Sequence, residues 1–334
     1  MDTMNSSFVR AINRNTSTNR SKCMHNILFL GGAGFIGSSI VSYLSHNKDC
    51  KITVLEPEFA SLHRLSGLPV AIHRGELSNI DEIKTLILEK KIDTIVHLVS
   101  TLIPGSSFDD YQREFTNVLY PSVRLMEFCS EQDIKFVYFS SGGTIYGDRK
   151  GNVTPFKEED QMAPISFYGW SKQMMENSIL FMHRTQHLKY IIIRPSNPYG
   201  KGQNLYGRQG LIAVALGKIF SGESIQVWGD GSSVRDYIYI DDLGKAMADI
   251  LLDENIVNET LNIGSGIGYS VNEILSILRE VVDEDVKVEY IAARNVDVSS
   301  VVLDTIKLQH LIHFNPREIK DGITRFYQEV KHGE

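Results

Sequence analysis

Cysteine is scarce in this chain. Its three residues, Cys23, Cys50 and Cys129, are odd in number and far apart, which excludes a disulfide framework and a zinc-binding spacing. A reducing cytoplasm is the expected home. Long apolar runs are also missing: stretches such as Val96–Val99 and Ile191–Ile193 fall far short of the ~20 residues that cross a bilayer as a helix. Membrane insertion is therefore not expected. Positive charge is in deficit, with 34 Lys+Arg against 41 Asp+Glu and a net charge of −7. Without a concentrated basic face, nucleic acid is excluded as a main partner. Internal repeats are absent as well.

The 334 residues, 42% hydrophobic and 22% charged, suffice for a large core in one or two domains. Residues 1–23 differ from the rest, being rich in Ser, Thr, Asn and Arg with Asp2 as their only acid. A disordered tail is expected there. The segment lacks the amphipathic stripe of a transit peptide, and Met24, directly before the first apolar run, would serve as an alternative start.

From residue 25, short apolar runs alternate with helix-length amphipathic segments. "HNILFLG", "KITVLE", "VAIHRG", "DTIVHLV", "KFVYFSS" and "KYIIIRP" read as strands, with Ile80–Lys90 and Val118–Glu131 among the helices between them. Continuous apolar strands separated by helices predict a parallel sheet covered on both faces, a doubly wound α/β fold. After Pro195 the rhythm gives way to Gly-rich loops, a helix near Ile212–Phe220, then "SIQVWGDG" and "VRDYIYIDDLGKAMADILL". Residues 24–194 thus read as a main domain to which 236–264 return. Residues 195–235 and 265–334 read as a smaller C-terminal α/β part that covers substrate.

"FLGGAGFIGSSIVSYL" stands where the first strand should turn into the first helix. Gly31, Gly34 and Gly37 fit G-x-x-G-x-x-G, and Gly32, Gly34 and Gly37 fit G-x-G-x-x-G, so a pyrophosphate can approach the backbone amides at the helix N-terminus. Glu56 closes "KITVLE" about twenty residues on, placed to accept hydrogen bonds from adenosine ribose hydroxyls. That favours NAD over NADP, because a 2′-phosphate near Arg64 would be repelled by Glu56.

In "PISFYGWSKQMMENSI", Tyr168 and Lys172 are four residues apart in a helical segment and project from one face. A free phenol, with a pKa near 10, is no base at neutral pH; lowering it by about three units corresponds to roughly 4 kcal/mol. The Lys172 ammonium and a positive nicotinamide are the expected source of that stabilisation.

The stretches "GGAGFIG", "DTIVHL", "TNVLYPSVRLMEFC", "FSSGGTIYGD", "PISFYGWSK", "RPSNPYG", "GDGSSVRDYIYIDDL" and "ARNVDVSSVVLD" together resemble the extended short-chain dehydrogenase/reductase family, the NAD-dependent nucleotide-sugar epimerases and dehydratases. The resemblance runs from residue 24 to the end and is greatest to the UDP-glucose 4-epimerases. It implies a Rossmann domain, bound NAD, a UDP-sugar substrate and a homodimer formed through two helices per subunit. Tyr168 would be the base, with Lys172 on the nicotinamide ribose. Gly31, Gly34, Phe35, Ile36, Gly37, Glu56, Glu76, Leu77, Leu98, Val99, Ser100, Asn117 and Pro195 would surround NAD. Asn197, Arg235 and Arg294 would meet the substrate phosphates, Trp228 the base and Asp297 the nucleotide ribose. Val301 aligns with a position where a bulky tyrosine restricts some members to sugars without an N-acetyl group, so its smaller side chain leaves room for UDP-N-acetylhexosamines.

Several positions depart from the family pattern. Leu30 stands for a frequent threonine, Glu76 for an aspartate, and Val99 and Ser100 for a small pair after "HL". The largest departure is in "SSGGTIYG": Gly142 occupies the place of a serine that hydrogen-bonds the sugar 4-hydroxyl. Ser141 or Thr144 would then supply the hydroxyl. Ser141 is favoured, although on a regular strand it faces away from Gly142, so the two glycines must permit a bend. The expected activity is a 4-epimerase working through a 4-keto sugar. A 4-keto-6-deoxyhexose reductase is the alternative, and a non-catalytic NAD or sugar-nucleotide binding protein a third reading. A 4,6-dehydratase is disfavoured, since Gly142 and Gly143 leave no acid pair to eliminate water. His183 and His187 share helical spacing without the acid or third ligand of a metal site, so no metal is expected and solvent-facing histidines are. "FKEEDQ" at 156–161 reads as a charged loop.

Overall fold

The computed structural model describes residues 24–148, 154–207, 209–292 and 298–333. Six apolar runs form β1 (His25–Leu30), β2 (Cys50–Glu56), β3 (Ala71–Arg74), β4 (Thr94–His97), β5 (Lys135–Phe139) and β6 (Tyr190–Pro195). Between them lie α1 (Phe35–Ser45), α2 (Ile80–Lys90), α3 (Phe108–Glu114), α4 (Tyr120–Glu131) and α5 (Phe167–Gln186), with a π-helical turn over Phe115–Leu119 joining α3 to α4. Beyond Pro195 come β7 (Asn197–Tyr199), α6 (Leu211–Phe220), β8 (Ile225–Trp228), β9 (Val234–Tyr239), α7 (Ile240–Leu252) and β10 (Glu259–Ile263). The chain continues through β11 (Gly268–Ser270), α8 (Val271–Val281), β12 (Val288–Ile291), β13 (Ser300–Val301), α9 (Ile306–Leu311) and α10 (Ile319–Lys331).

The main sheet has seven strands in the order β10-β6-β5-β4-β1-β2-β3, and every neighbouring pair is parallel. Side chains alternate across it. Ile27 and Phe29 of β1 belong to one core cluster, shared with α1 and α7, while Leu28 and Leu30 belong to another, shared with α2, α4 and α5. Burial on both faces is why these strands are apolar without alternation. The order reverses between β1 and β4, and such a switch point opens a crevice at the carboxyl ends of the strands.

A second sheet of four strands runs β11-β9-β13, with β7 paired to β9. Residues 236–239 therefore stay in this smaller sheet, because β9 hydrogen-bonds β7, β11 and β13. The return to the main sheet begins with α7, a few residues later than expected from sequence. Among the described residues no helix is long and apolar enough to cross a membrane. His187 caps α5 in the left-handed conformation and is exposed, whereas His183 is half-buried, its Nδ1 2.9 Å from the Leu188 carbonyl. His183 is thus tied into the helix end instead of facing solvent.

Candidate active site

The Gly-rich turn sits at the switch point. Gly31 has a φ of +83°, a conformation that a Cβ resists. At Gly37 a Cβ would lie 2.7 Å from the Gly31 carbonyl oxygen and 2.8 Å from the Gly32 Cα, so only glycine lets α1 seat this closely on the loop. Glu56, buried at the end of β2, accepts a hydrogen bond from the Ala33 N–H at 2.5 Å. Burial raises its pKa; the Ala33 N–H and the Arg74 guanidinium act against that rise. Arg64 donates to the Gly202 carbonyl at 2.7 and 3.1 Å.

A cleft of about 1230 Å³ runs from this turn to the N-terminus of α5. Gly31, Gly34, Phe35, Ile36, Gly37 and Leu98 line one end, and Pro195 lies further along. Val99 lies against Gly31, 3.4 Å from where a Cβ would project. Leu77 is buried, while Glu76 and Asn117, the latter on the π-helical turn, are exposed; none of the three lines the cleft.

Ser166 starts α5 by accepting from the Gly169 N–H at 3.1 Å, which fixes the helix whose next turns carry Tyr168 and Lys172. Tyr168 is half-buried and lines the cleft together with Ser141, whose side chain acts on the phenol. The Lys172 ammonium donates to the Phe139 carbonyl at 2.9 Å and lies 5.6 Å from the Tyr168 ring centre. Burial pushes the Tyr168 phenol above its usual value; the Ser141 hydrogen bond opposes this and Glu114 adds to it. Burial also pulls Lys172 down to about 8, against the attraction of Glu114 and Glu176. In the protein without nicotinamide, burial thus outweighs what lowers the phenol. Both groups share one desolvated patch, where burial dominates, and the pull on Tyr168 comes from Ser141.

Gly142 does not line the cleft, unlike Ser140, Ser141, Gly143 and Thr144. Its N–H donates to the Pro195 carbonyl at 2.8 Å, and a Cβ there would meet Leu303 Cδ1 at 2.5 Å and the Pro195 oxygen at 3.0 Å. A serine at 142 would have to displace Leu303. The turn that follows the strand places Ser141 in the cleft with Tyr168, and leaves Thr144 Oγ1 buried without a partner among the described residues.

The opposite wall comes from the second sheet. Asn197 and Arg235 line the cleft; the Asn197 amide donates to the Asp236 carbonyl at 2.8 Å, and Arg235 Nη1 to the Val234 carbonyl at 2.8 Å. Val301 is buried beside Ile145, Tyr146, Phe156 and Leu303, and from its segment Val298 lines the cleft instead. Trp228, at the end of β8, is exposed and outside the lining. Arg294 and Asp297 lie outside the described residues.

Sequence reasoning missed Glu114. Its carboxylate, 2% exposed, accepts from Ser100 Oγ at 3.0 Å, from the Thr101 N–H at 2.9 Å and from Thr101 Oγ1 at 2.6 Å. The hydroxyls of "HLVST" thus hold a buried negative charge near Lys172. Phe167 and Trp170, which line the cleft beside Pro104 and Ile165, were also passed over. Their only signal was the aromatic flanking of Tyr168 in "SFYGWSK".

A glycine cradle at the switch point of a parallel sheet, facing a Tyr-Lys pair in the same cleft, defines a dinucleotide enzyme of the Rossmann class. The chain belongs to the NAD dependent epimerase/dehydratase family, whose model matches residues 27–264. It is 30% identical over 310 residues to a putative UDP-glucose 4-epimerase of Methanocaldococcus jannaschii, covering 91% of this chain and 98% of the relative. A dTDP-4-dehydro-6-deoxyglucose reductase of Escherichia coli is 28% identical over 320 residues, with 92% and 98% covered. Among solved structures, UDP-glucose 4-epimerase of Thermotoga maritima with UDP-glucose superposes with a TM-score of 0.85 at 29% identity, covering 92% of this chain and 99% of that one. The Thermus thermophilus UDP-glucose 4-epimerase in complex with NAD gives 0.83 at 25%, covering 92% and 100%. NAD is the cofactor of the family; at Gly34, which lines the cleft, a Cβ would meet only the Gly31 carbonyl oxygen at 3.4 Å, so the bare backbone there leaves room for a pyrophosphate.

Proposed function

We propose that the protein is a nucleotide-sugar 4-epimerase that acts on a UDP-hexose or UDP-N-acetylhexosamine through a 4-keto intermediate. The observation that carries this reading is Tyr168 and Ser141 sharing the wall of one cleft, with the Lys172 ammonium 5.6 Å from the Tyr168 ring centre. NAD, when bound, supplies the hydride acceptor for C4. Tyr168 takes the proton of the sugar 4-hydroxyl, and Ser141 holds that oxygen and passes the proton across a short path. Asn197 and Arg235 bind the diphosphate, so the hexose can turn about its anchored end and present its other face. Arg294, Asp297 and Trp228 complete the nucleotide site in this reading, with Glu56 on the adenosine ribose. The small Val298 on the cleft wall, with Val301 behind it, supports room for an N-acetyl group. Phe181 and Tyr120, exposed on α5 and α4, support a homodimer through those helices.

The reductase relative favours a second reading, in which the same Tyr168 protonates a 4-keto-6-deoxy sugar that is reduced once and released. Purified protein incubated with UDP-glucose, UDP-galactose and their N-acetyl forms, without added cofactor, separates the two. Interconversion is expected; product formed only from a 4-keto sugar with added NADH or NADPH would replace the epimerase with the reductase.

Ser141→Ala is expected to lower turnover by about 10²-fold, the lower range for a positioned proton-transfer group, with Thr144→Ala costing mainly substrate affinity. Steady-state kinetics on both variants checks this. A larger turnover loss in Thr144→Ala would reassign the hydroxyl.

A further inference from the structure

Five buried side-chain atoms make no hydrogen bond among the described residues, and four of them, Ser140 Oγ, Thr144 Oγ1, Ser196 Oγ and Gln203 Oε1, belong to residues that line the cleft. A buried polar atom left unpaired costs about 1–3 kcal/mol. Its concentration in one cavity marks where a ligand supplies the missing partners. Ser196 is one of these to which no role falls in the reaction above. It is 7% exposed and stands between the last residue of β6 and the first of β7, where the chain passes from the main sheet to the smaller one.

Backbone hydrogen bonds fix it on both sides. The Ser196 N–H donates to the Ile263 carbonyl at 2.8 Å, and the Pro195 carbonyl accepts from Gly142 at 2.8 Å. The next side chain, Asn197, is tied to the Asp236 carbonyl at 2.8 Å. Ser196 is therefore held in place without any use of its hydroxyl. On one side lies the Ser140–Gly143 turn that brings Ser141 to Tyr168, and on the other Asn197. Those two flanks are the reacting-carbon and diphosphate ends of the substrate in the reading above, and the hexose ring spans the distance between them.

We propose that Ser196 is a hexose-binding residue, its hydroxyl pairing with a hydroxyl of the sugar ring and not with the nucleotide or with NAD. The inference rests on the nucleotide-sugar reading, but not on whether the reaction is epimerisation or reduction. A hydroxyl can both donate and accept, so it serves a ring hydroxyl in either role and holds the sugar in both of its orientations.

The test is calorimetric binding to the NAD-loaded full-length protein, using UDP against UDP-glucose and dTDP against dTDP-glucose, for the wild type and Ser196→Ala. The quantity read is the affinity that the hexose adds over the bare nucleotide. In Ser196→Ala that gain is expected to fall about tenfold, the size of one neutral hydrogen bond. Affinities for UDP, dTDP and NAD stay unchanged, and thermal stability is unchanged or higher because no protein partner is lost. A variant that retains the full hexose gain, or that loses bare nucleotide or NAD to the same degree, overturns the role of Ser196. A wild type that gains nothing from either hexose overturns the nucleotide-sugar reading and this proposal together.

Discussion

Tyr168→Phe is expected to lower turnover of a nucleotide sugar by about 10²–10⁴-fold, the range for a positioned general acid-base group, with substrate affinity largely retained. The Tyr168 ring lines the cleft beside Ser141, and its centre lies 5.6 Å from the Lys172 ammonium. Phenylalanine keeps the ring and its packing but can neither take nor return a proton. Steady-state kinetics and calorimetric binding on the same preparation separate the two quantities. A variant within tenfold of the wild type would remove Tyr168 from the chemistry.

The pH profile follows from the same pair. Tyr168 must be deprotonated to act, and burial raises its pKa, so turnover should climb as pH rises toward that value. Lys172 is pulled down to about 8 by burial. Above that point it loses the charge that favours the phenolate, and the climb is expected to flatten. The shape belongs to the coupled pair. Tyr168→Phe should abolish the climb, leaving a residual rate with little pH dependence.

The layout of the fold was legible because it is written in local patterns. Six apolar runs, each too short for a helix, could be placed in a parallel sheet from their continuity alone, and Gly31, Gly37, Tyr168 and Lys172 stand out through fixed spacings on adjacent residues. What the sequence hid is contact between distant segments. Leu303 closes the space above Gly142, yet 161 positions separate them in the chain, so the reason for the glycine could not be read from "SSGG". Glu114 reaches Ser100 and Thr101 only because α3 folds back over the end of β4. The boundary near residue 236 slipped for a similar reason: an apolar strand such as "VRDYIY" does not reveal which of two sheets will accept it.

The second large effect is on stability and also lies in a contact between distant segments. Arg194 of β6 grips Glu176 of α5 through Nε to Oε1 at 3.0 Å and Nη2 to Oε2 at 2.6 Å, with side-chain exposures of 5% and 0%. Its Nη1 also donates to the Tyr146 hydroxyl at 2.8 Å and the Glu158 carbonyl at 2.9 Å. Tyr146 in turn donates to Asn262 of β10 at 2.7 Å. One guanidinium thus joins the catalytic helix, the main sheet and the turn after Ser141. Burial alone would pull its pKa down, but the Glu176 carboxylate raises it further than that. Arg194→Met leaves the Glu176 carboxylate buried without its hydrogen-bonded ion-pair partner, and is expected to cost about 3–5 kcal/mol, the usual result of breaking a buried pair from one side. Replacing both partners, as Arg194→Met with Glu176→Leu, should recover most of that loss, because the stranded charge is what carries the cost. Urea unfolding of the wild type, both single variants and the double variant measures the coupling. If Arg194→Met unfolds within 1 kcal/mol of the wild type, on the order of one ordinary hydrogen bond, the pair does not hold α5 to the sheet.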